Sequence, residues 1–449
     1  MAHSIFAPDY VAEPYWWQAF RPHNGSTDPL PQVADAVVVG GGYAGICCAT
    51  ELAAGGRDVA VLDAGPLGGG ASSRSGGQVT GGVNIQKKAN QAMAGNRSPE
   101  AQRLLERRLS DASASYRWLK EVIAGDGIDC DYVQNGRLTA LWAADHFAAW
   151  KARLPQLNSL TDSDAVMLTR DELAAELGTT AYHGAAFIRN AGHLNPSAFY
   201  GGLLRRAMAQ GVRGWGGVQV TAVKRTTDGF TVQTPRGEIR CGQVVLALNG
   251  SSGQLDAELA RSVVPVTSHM IATEPLPEGL AREIIRNDRA VSESRRVVNH
   301  YRLSGDGQRL VFGGRARFTP TSEETTARLL HQMMVQRCPR LAGVKITHSW
   351  GGDVSMTLDY MPHIGGREGL HWVFGCNGSG VTMMSWLGHM LGRKLREGVN
   401  EPVCAFDGQP LPRHALYYGN PWFMFALGSY YQMLDAMDHR RSKPEQGTR

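Results

Sequence analysis

The chain predicts an α/β fold that carries an α+β insertion, and three observations predict it. Ala36–Val39 is a short, largely β-branched run, followed by glycines at 40–42 and 45, a helical stretch of small and apolar residues, and a second strand at Val59–Leu62. Strands of the same buried type return far along the chain, near Val244–Leu248 and Trp372–Phe374. That return implies one domain assembled from separated segments, with a second, mixed-sheet domain inserted at roughly 90–190 and 260–345. A continuous apolar run of four to eight residues marks a buried strand, and a change of period marks a change of element.

Taken in order, residues 1–33 read as an arm whose Tyr15-Trp16-Trp17 cluster either anchors it to the body or lines an entrance. Ile46–Ala54 has the spacing of a helix, closed by Gly55-Gly56. Residues 100–124 repeat Leu104, Leu105, Leu109, Trp118, Leu119 and Val122 at helical intervals. Residues 128–143 alternate like strands around the turn Asn135-Gly136. A helix is expected over Ser197–Gln210, then strands at Val218–Val223, Phe230–Gln233 and Val244–Leu248. The stretch 262–315 is strand-rich, and a helix follows at about Thr321–Arg337. Trp372–Phe374 runs through Gly375, Gly378 and Gly380 into a helix over Val381–Arg396. Trp422–Met433 reads as a core or docking helix.

Bulk properties exclude several classes. Net charge is +5 over 449 residues, with no block of like charge, so nucleic acid is not an expected partner. Seven cysteines without a CxxC spacing argue against a disulfide framework and a zinc site, and no metal is expected. No apolar stretch reaches the ~20 residues of a membrane span, and Met1–Asp9 does not resemble a signal peptide, so a cytoplasmic location is expected.

The turn Gly40-Gly41-Gly42-Tyr43-Ala44-Gly45 follows a strand and opens a helix, and Asp63-Ala64 ends the next strand 18 positions past Gly45. That context is a dinucleotide signature. Gly40 permits the tight turn, Gly42 lets backbone approach a pyrophosphate, and Gly45 lets helix pack on strand. The helix N-terminus offers free N–H groups and partial positive charge, while Asp63 accepts ribose hydroxyls. The following residues, Gly68-Gly69-Gly70-Ala71-Ser72-Ser73-Arg74-Ser75-Gly76-Gly77-Gln78, form a track of mostly small side chains. A nicotinamide enzyme has no use for it there. A flavin lying flat against backbone does, so FAD is the expected cofactor, with Ser72 bonding a phosphate or ribityl oxygen and Gly76 and Gly77 clearing room for the ring. The domains then read as 1–33 arm; 34–90, 190–260 and 345–449 a Rossmann-like FAD-binding domain; and 91–189 and 261–344 a mixed-sheet substrate domain.

Gly70-Ala71-Ser72-x-Arg74-x-Gly76-Gly77-Gln78 after such a start resembles the D-amino-acid oxidase and glycine/sarcosine oxidase superfamily, and within it the gamma-glutamylputrescine oxidase-like bacterial enzymes. The resemblance extends through Gly192–Pro196, Gln243–Gly250, Ile271–Leu276, Tyr301-Arg302, Phe312–Gly314, Trp350–Gly352, Gly375–Val381 and Gly419–Pro421. It implies that backbone at Val220 meets the adenine, that Asn249-Gly250 lies near the diphosphate, and that Gly378-Ser379-Gly380-Val381, with Thr382, meets the pyrimidine edge of the flavin. A helix N-terminus there suits the negative charge of reduced flavin. Two departures stand out. Ser75 replaces the usual Asn, and Cys376-Asn377 with Ser379 replaces the Tyr-Ser and His of the usual Gly-Tyr-Ser-Gly-His-Gly-Val. No residue matches the relatives' covalent attachment points, so non-covalent FAD is expected.

In such enzymes the substrate amine loses hydride from the carbon next to nitrogen to flavin N5, the imine hydrolyses, and electrons pass to O2 or to a carrier; the protein supplies position and a dry site. Candidate substrate residues are Tyr301 as a pocket wall, and Arg302 either as a carboxylate clamp or facing solvent. His269 and His300 are candidate acceptors of the amine proton. Trp350 is either a pocket wall or a core aromatic, and Arg74 either balances charge in the flavin loop or bridges to the second domain. An NADPH-using flavin monooxygenase would show Gly-Asp at the end of a late strand, a place held here by Leu248-Asn249-Gly250 and Gly375-Cys376, and a disulfide reductase would need a spaced redox cysteine pair, whereas Cys47 and Cys48 are adjacent. A dehydrogenase serving a quinone or carrier stays open beside an oxidase. A non-catalytic subunit is countered by the intact cofactor motifs.

Overall fold

Two sheets share most of the strands, as seen in a computed structural model that describes residues 4–82, 98–315 and 321–441. The first has the order Ala222–Thr226, Gly229–Thr234, Gly237–Leu246, Val33–Val39, Val59–Leu62 and Arg213–Trp215. Leu370–Phe374 also pairs with Gly237–Leu246 and carries His363–Arg367 beyond it. Val33–Val39, Val59–Leu62, Arg213–Trp215, Gly237–Leu246 and Leu370–Phe374 are mutually parallel, so their carboxyl ends share one edge. Val37, Val38, Val59 and Val61 are fully buried, as a parallel sheet covered on both faces requires. The second sheet has nine strands, in the order Phe6–Val11, Ile346–Thr357, Val263–Thr273, Leu310–Gly314, Asn299–Leu303, Ala290–Glu293, Arg137–Ala140, Ala185–Ile188 and Ala165–Leu168.

Across the central strands of the second sheet, side chains alternate between the two faces. Leu138, Ala140, Val291, Tyr301, Leu303, Phe312 and Ile271 pack into one core with Leu330 and Met334 of the helix Glu323–Arg337. The other face presents Met270, Ala272, Val311 and Trp350 to Trp16 of the arm.

Four expectations need revision. Ile346–Thr357 pairs along its length with Val263–Thr273 and so belongs to the second sheet, not to the nucleotide segments. Gly351-Gly352-Asp353 looks like a turn locally, and only the long partner strand keeps it extended. The arm begins as an edge strand of that same sheet. Asn135-Gly136 does not make a hairpin: Arg137–Ala140 pairs instead with Ala290–Glu293 and Ala185–Ile188. The tail helix Met424–Arg441 docks on the substrate side, where Asp435 accepts the backbone N–H groups of Arg296 and Val297, both at 3.0 Å. The expected boundary at 90–91 lies outside the described residues.

One contact positions the site. The helix Gly380–Glu397 lies parallel to the helix Tyr43–Ala54 at very close range. A Cβ at Gly388 would come 2.2 Å from the Ala44 carbonyl oxygen, and one at Gly392 would come 2.7 Å from that of Cys48. Ala44 is one residue into its helix and Gly388 is eight into its own, so the second helix starts about seven residues, or roughly 10 Å, ahead of the first.

Candidate active site

The glycine turn sits at the shared carboxyl edge of the parallel strands. Gly40 has φ +105°, and a Cβ there would meet the Ala247 carbonyl oxygen at 2.5 Å. A Cβ at Gly45 would lie 1.9 Å from the Gly40 carbonyl oxygen. Gly42 caps the helix without a side-chain hydrogen bond, and the first turn holds no acidic residue. N–H groups are therefore left to face an anion. The Tyr43 N–H donates to Ser72 Oγ at 3.0 Å, which joins the turn to the small-residue track and leaves the Ser72 proton to donate elsewhere. Ala44, within the first turn, is nearly sealed, and Tyr43 OH donates to the Pro196 carbonyl.

Asp63 accepts the N–H of Gly41 at 2.8 Å and of Gly65 at 2.9 Å. Burial raises its pKa, while those two N–H groups oppose the rise. Ala64 beside it is exposed. Val218 donates to the Asp63 carbonyl at 2.8 Å, which lays the segment leading to the buried Val220 along the same strand end. Asn249, at φ +51°, accepts the N–H groups of Gly375 and Cys376 at 3.1 and 3.3 Å and so splices the two returning strands. A Cβ at Gly250 next to it would lie 3.3 Å from Pro265 Cβ of the second sheet. Gly378 has φ +82° with open space around it, Ser379 caps the second helix with its carbonyl, Val381 is buried, and Thr382 Oγ1 reaches the Thr80 carbonyl at 3.5 Å. Two helix ends without a side-chain cap thus face the same side, staggered by roughly 10 Å.

The loop between them is held from the second sheet and the arm. Trp16 Nε1 donates to the Ser75 carbonyl and Trp17 Nε1 to Ser73 Oγ, both at 2.9 Å, so the aromatic cluster anchors the arm. Arg74 donates to the carbonyls of Gly69 and Gly351 and stacks on Trp17, thereby bridging to the second sheet. Gly70 leaves open space and precedes the short 3-10 turn Ala71–Ser73. Gln78 Nε2 donates to the Val291 carbonyl at 2.9 Å.

The candidate substrate residues fall differently. Arg302 is only 1% exposed, so it does not face solvent. Its guanidinium donates to the carbonyls of Gly76, Leu194 and Leu303 at 2.8, 2.6 and 2.9 Å and lies over Trp16. With those donors in use, it is a clamp on the loop rather than on a carboxylate. Tyr301 points into the opposite core, stacked on Phe312 and donating to Tyr182 OH, because neighbouring residues on a strand face opposite sides. His269 shares that opposite face, with Glu323 of the covering helix nearby. Trp350 faces the loop but is 1% exposed and donates to the Arg74 carbonyl, so it supports the loop as a core aromatic. Gly76 and Gly77 make room for protein: a Cβ at Gly76 would come 2.9 Å from His300 Cε1, and one at Gly77 2.0 Å from the Leu194 carbonyl oxygen.

His300 is the group the geometry brings forward. It faces the loop between Gly76 and Gly313. It is enclosed by protein on most sides and keeps a little accessible surface. Burial, reinforced by Arg137 and Arg302, lowers its pKa to about 4, so the imidazole is neutral at physiological pH. All seven cysteines are free and buried. Cys376 Sγ lies 3.4 Å from the Ser355 N–H. Among the described residues no His/Cys/Asp/Glu group could hold a metal ion, and no helix is long and apolar enough to cross a membrane.

A parallel sheet with a glycine turn at its carboxyl edge, joined to a second sheet that roofs a small-residue loop, defines a dinucleotide-dependent oxidoreductase. The family model described as FAD dependent oxidoreductase (DAO) matches residues 35–394, and the chain belongs to that family. Gamma-glutamylputrescine oxidoreductase of Escherichia coli is 30% identical over 378 residues, covering 84% of this chain and 86% of that protein. Among solved structures, L-proline dehydrogenase from P. horikoshii superposes with a TM-score of 0.68 at 20% identity, covering 83% of this chain and 96% of that one. Glycine oxidase from Geobacillus kaustophilus gives 0.67 at 20% identity, covering 86% and 100%. These two likenesses concern the fold.

Proposed function

We propose that the protein oxidises a small amine or amino acid at the carbon next to nitrogen, with O2 as the electron acceptor and H2O2 as its product. When bound, FAD supplies the hydride acceptor at N5. The observation that carries the reading is His300: a neutral, partly exposed imidazole on the sheet face that packs against the small-residue loop. The glycine turn Gly40–Gly45 and the helix end it opens hold the pyrophosphate, with Tyr43 tied to Ser72, and Asp63 holds the ribose. Gly70 to Ser72, Arg74, Gly77 and Gln78 form and brace the floor, and Gly378 to Thr382 close the pyrimidine edge. His300, itself neutral, accepts a hydrogen bond from the nitrogen of the free amine and orients it, and hydrolysis of the imine follows in water. Cofactor attachment is non-covalent: Cys376 is tied to Ser355 and Asn249, and acid precipitation is expected to release the yellow colour into the supernatant.

The relative named for gamma-glutamylputrescine makes amines the first substrates to try. The test is an anaerobic screen of amines, imino acids and amino acids for flavin bleaching, run beside a peroxide-coupled assay. Bleaching with peroxide on readmitting air supports the oxidase. Bleaching without peroxide assigns the acceptor to a quinone or carrier. No bleaching by any nitrogen compound overturns the reading.

A further inference from the structure

We propose that the cavity between the tail helix Met424–Arg441 and the second sheet is a binding site for a small organic anion, a carboxylate or a phosphate ester, and that its occupant locks the tail helix in place. The inference is independent of the amine-oxidising reading, because the cavity lies across the sheet from the candidate active site.

Four elements meet there. Trp142 follows the strand Arg137–Ala140, Arg295 follows Ala290–Glu293, and Arg337 ends the helix Glu323–Arg337. Gln432, His439 and Arg440 come from the tail helix. Together they line a cavity of about 290 Å³. That is near the lower end of small-molecule sites, ~300–1,000 Å³, and too small for a macromolecule. Glu293, behind the cavity, is two residues on from the core residue Val291. It accepts the hydroxyl of Tyr182, which in turn accepts that of Tyr301. The cavity therefore belongs to the face opposite His300, with the sheet between them.

The lining is cationic and already braced. Trp142 Nε1 donates to the Asp435 carbonyl at 3.1 Å, and His439 stacks on the indole with ring centroids 4.4 Å apart. Arg295 and Arg337 lie over the same indole at 4.7 and 4.9 Å. Arg337 is satisfied, since it donates to the two oxygens of Glu293 at 2.8 and 3.3 Å. Asp435 is taken up by Arg296 and by two backbone N–H groups, and Asp438 pairs with Arg296 at 2.6 Å. Arg295 reaches Glu293 and Asp435 only at 3.6 and 3.5 Å, loose for a hydrogen bond. Its Nε is sealed from solvent without a hydrogen-bond partner, and so is His439 Nδ1. Arg440 is exposed and forms no ion pair among the described residues. The guanidiniums of Arg295, Arg296, Arg337 and Arg440 thus meet the carboxylates of Glu293, Asp435 and Asp438, and one positive charge is left unmatched. A basic residue in the last turn of a helix suits the helix dipole by itself. That does not explain the two buried nitrogens without partners, which carry a desolvation penalty until an acceptor or donor meets them. An anion supplies both the acceptor and the missing charge, and a guanidinium fork favours carboxylate or phosphate.

The test titrates the FAD-loaded full chain with citrate, succinate, inorganic phosphate and glycerol 2-phosphate, with chloride at matched ionic strength as the control. Melting temperature is followed, together with limited proteolysis read by mass spectrometry. Wild type is expected to show a saturable rise in melting temperature and protection of Met424–Arg441. The probe class that saturates first, carboxylate or phosphate, identifies the headgroup. Arg440→Gln removes an exposed charge without breaking an ion pair, so it is expected to fold and to weaken anion binding about tenfold or more. Gln432→Glu adds a negative charge to the lining and should weaken it in the same direction. The visible spectrum of bound FAD is expected to stay constant through the titration. A rise that chloride reproduces, or equal anion affinity in wild type and both variants, overturns the site. An anion that perturbs the flavin spectrum and ignores both substitutions resides in the flavin cleft, and that result overturns it as well.

Discussion

Removing the Arg302 guanidinium strands the buried carbonyls of Gly76 and Leu194, each worth about 1–3 kcal/mol when left unpaired. Arg302→Met is expected to lower stability by about 3 kcal/mol, read as a lower urea midpoint. His300, two residues back on the same face, gives a pH signature. Its folded pKa, about 4, lies below its unfolded value near 6.5, so the unfolded chain binds the proton more readily. Stability tied to this residue is present above pH 6.5 and is lost as pH falls through 4, up to about 3 kcal/mol from the size of that shift. His300→Gln should flatten that part of the curve in urea titrations between pH 4 and 7. At this scale the sequence was only partly legible. Tyr301-Arg302 stood out as a pair beside the flavin loop, but the carbonyls that hold Arg302 lie 226 and 108 positions away. Nothing local says which neighbour an arginine will find, and one strand residue's shift in register exchanges Tyr301 for His300 on the active face.

Helices and strands with a local period were the readable part. The turn at Gly40–Gly45 and the helix after it follow from six residues and their flanks. The helix Ala144–Leu160 was not legible, because Pro155 lies inside it and its buried face is only Trp150, Arg153, Leu154 and Leu157. The strand Ile346–Thr357 hid behind its glycines for the reason already given. The helix pair offers the sharpest test of an element. Gly388→Val drives a side chain into the Ala44 carbonyl and is expected to cost several kcal/mol, as overpacking at a close helix contact does. Purified variant should have a lower melting temperature and release FAD faster on dilution, with both effects smaller for Gly388→Ala. The arm offers another. Trp16 is 1% exposed and hydrogen-bonded to the loop, so Trp16→Ala should cost about 3–5 kcal/mol in denaturant melts.

Across the whole molecule, the discontinuous plan was legible because buried parallel strands look alike wherever they fall, while sheet membership at the margins was not. The tail shows the same limit: its helix is placed by one carboxylate rather than by an apolar stripe. Asp435, 1% exposed, accepts two backbone N–H groups and pairs with Arg296. Asp435→Ala is expected to expose the Met424–Arg441 segment to protease while leaving the visible spectrum of bound FAD unchanged, as limited proteolysis followed by mass spectrometry would report.

The stagger between Tyr43–Ala54 and Gly380–Glu397 also has a bearing on biosynthesis. The two walls of the nucleotide cleft, Tyr43–Ala54 and Gly380–Glu397, are translated more than 300 residues apart. A nascent chain leaving the ribosome therefore carries a half-built grip through most of its synthesis, with Gly388 and Gly392 still to arrive. Capture of the prosthetic group waits until the chain has been translated past the helix Gly380–Glu397, so truncated products ending before Gly380 should emerge colourless however much riboflavin the cell supplies.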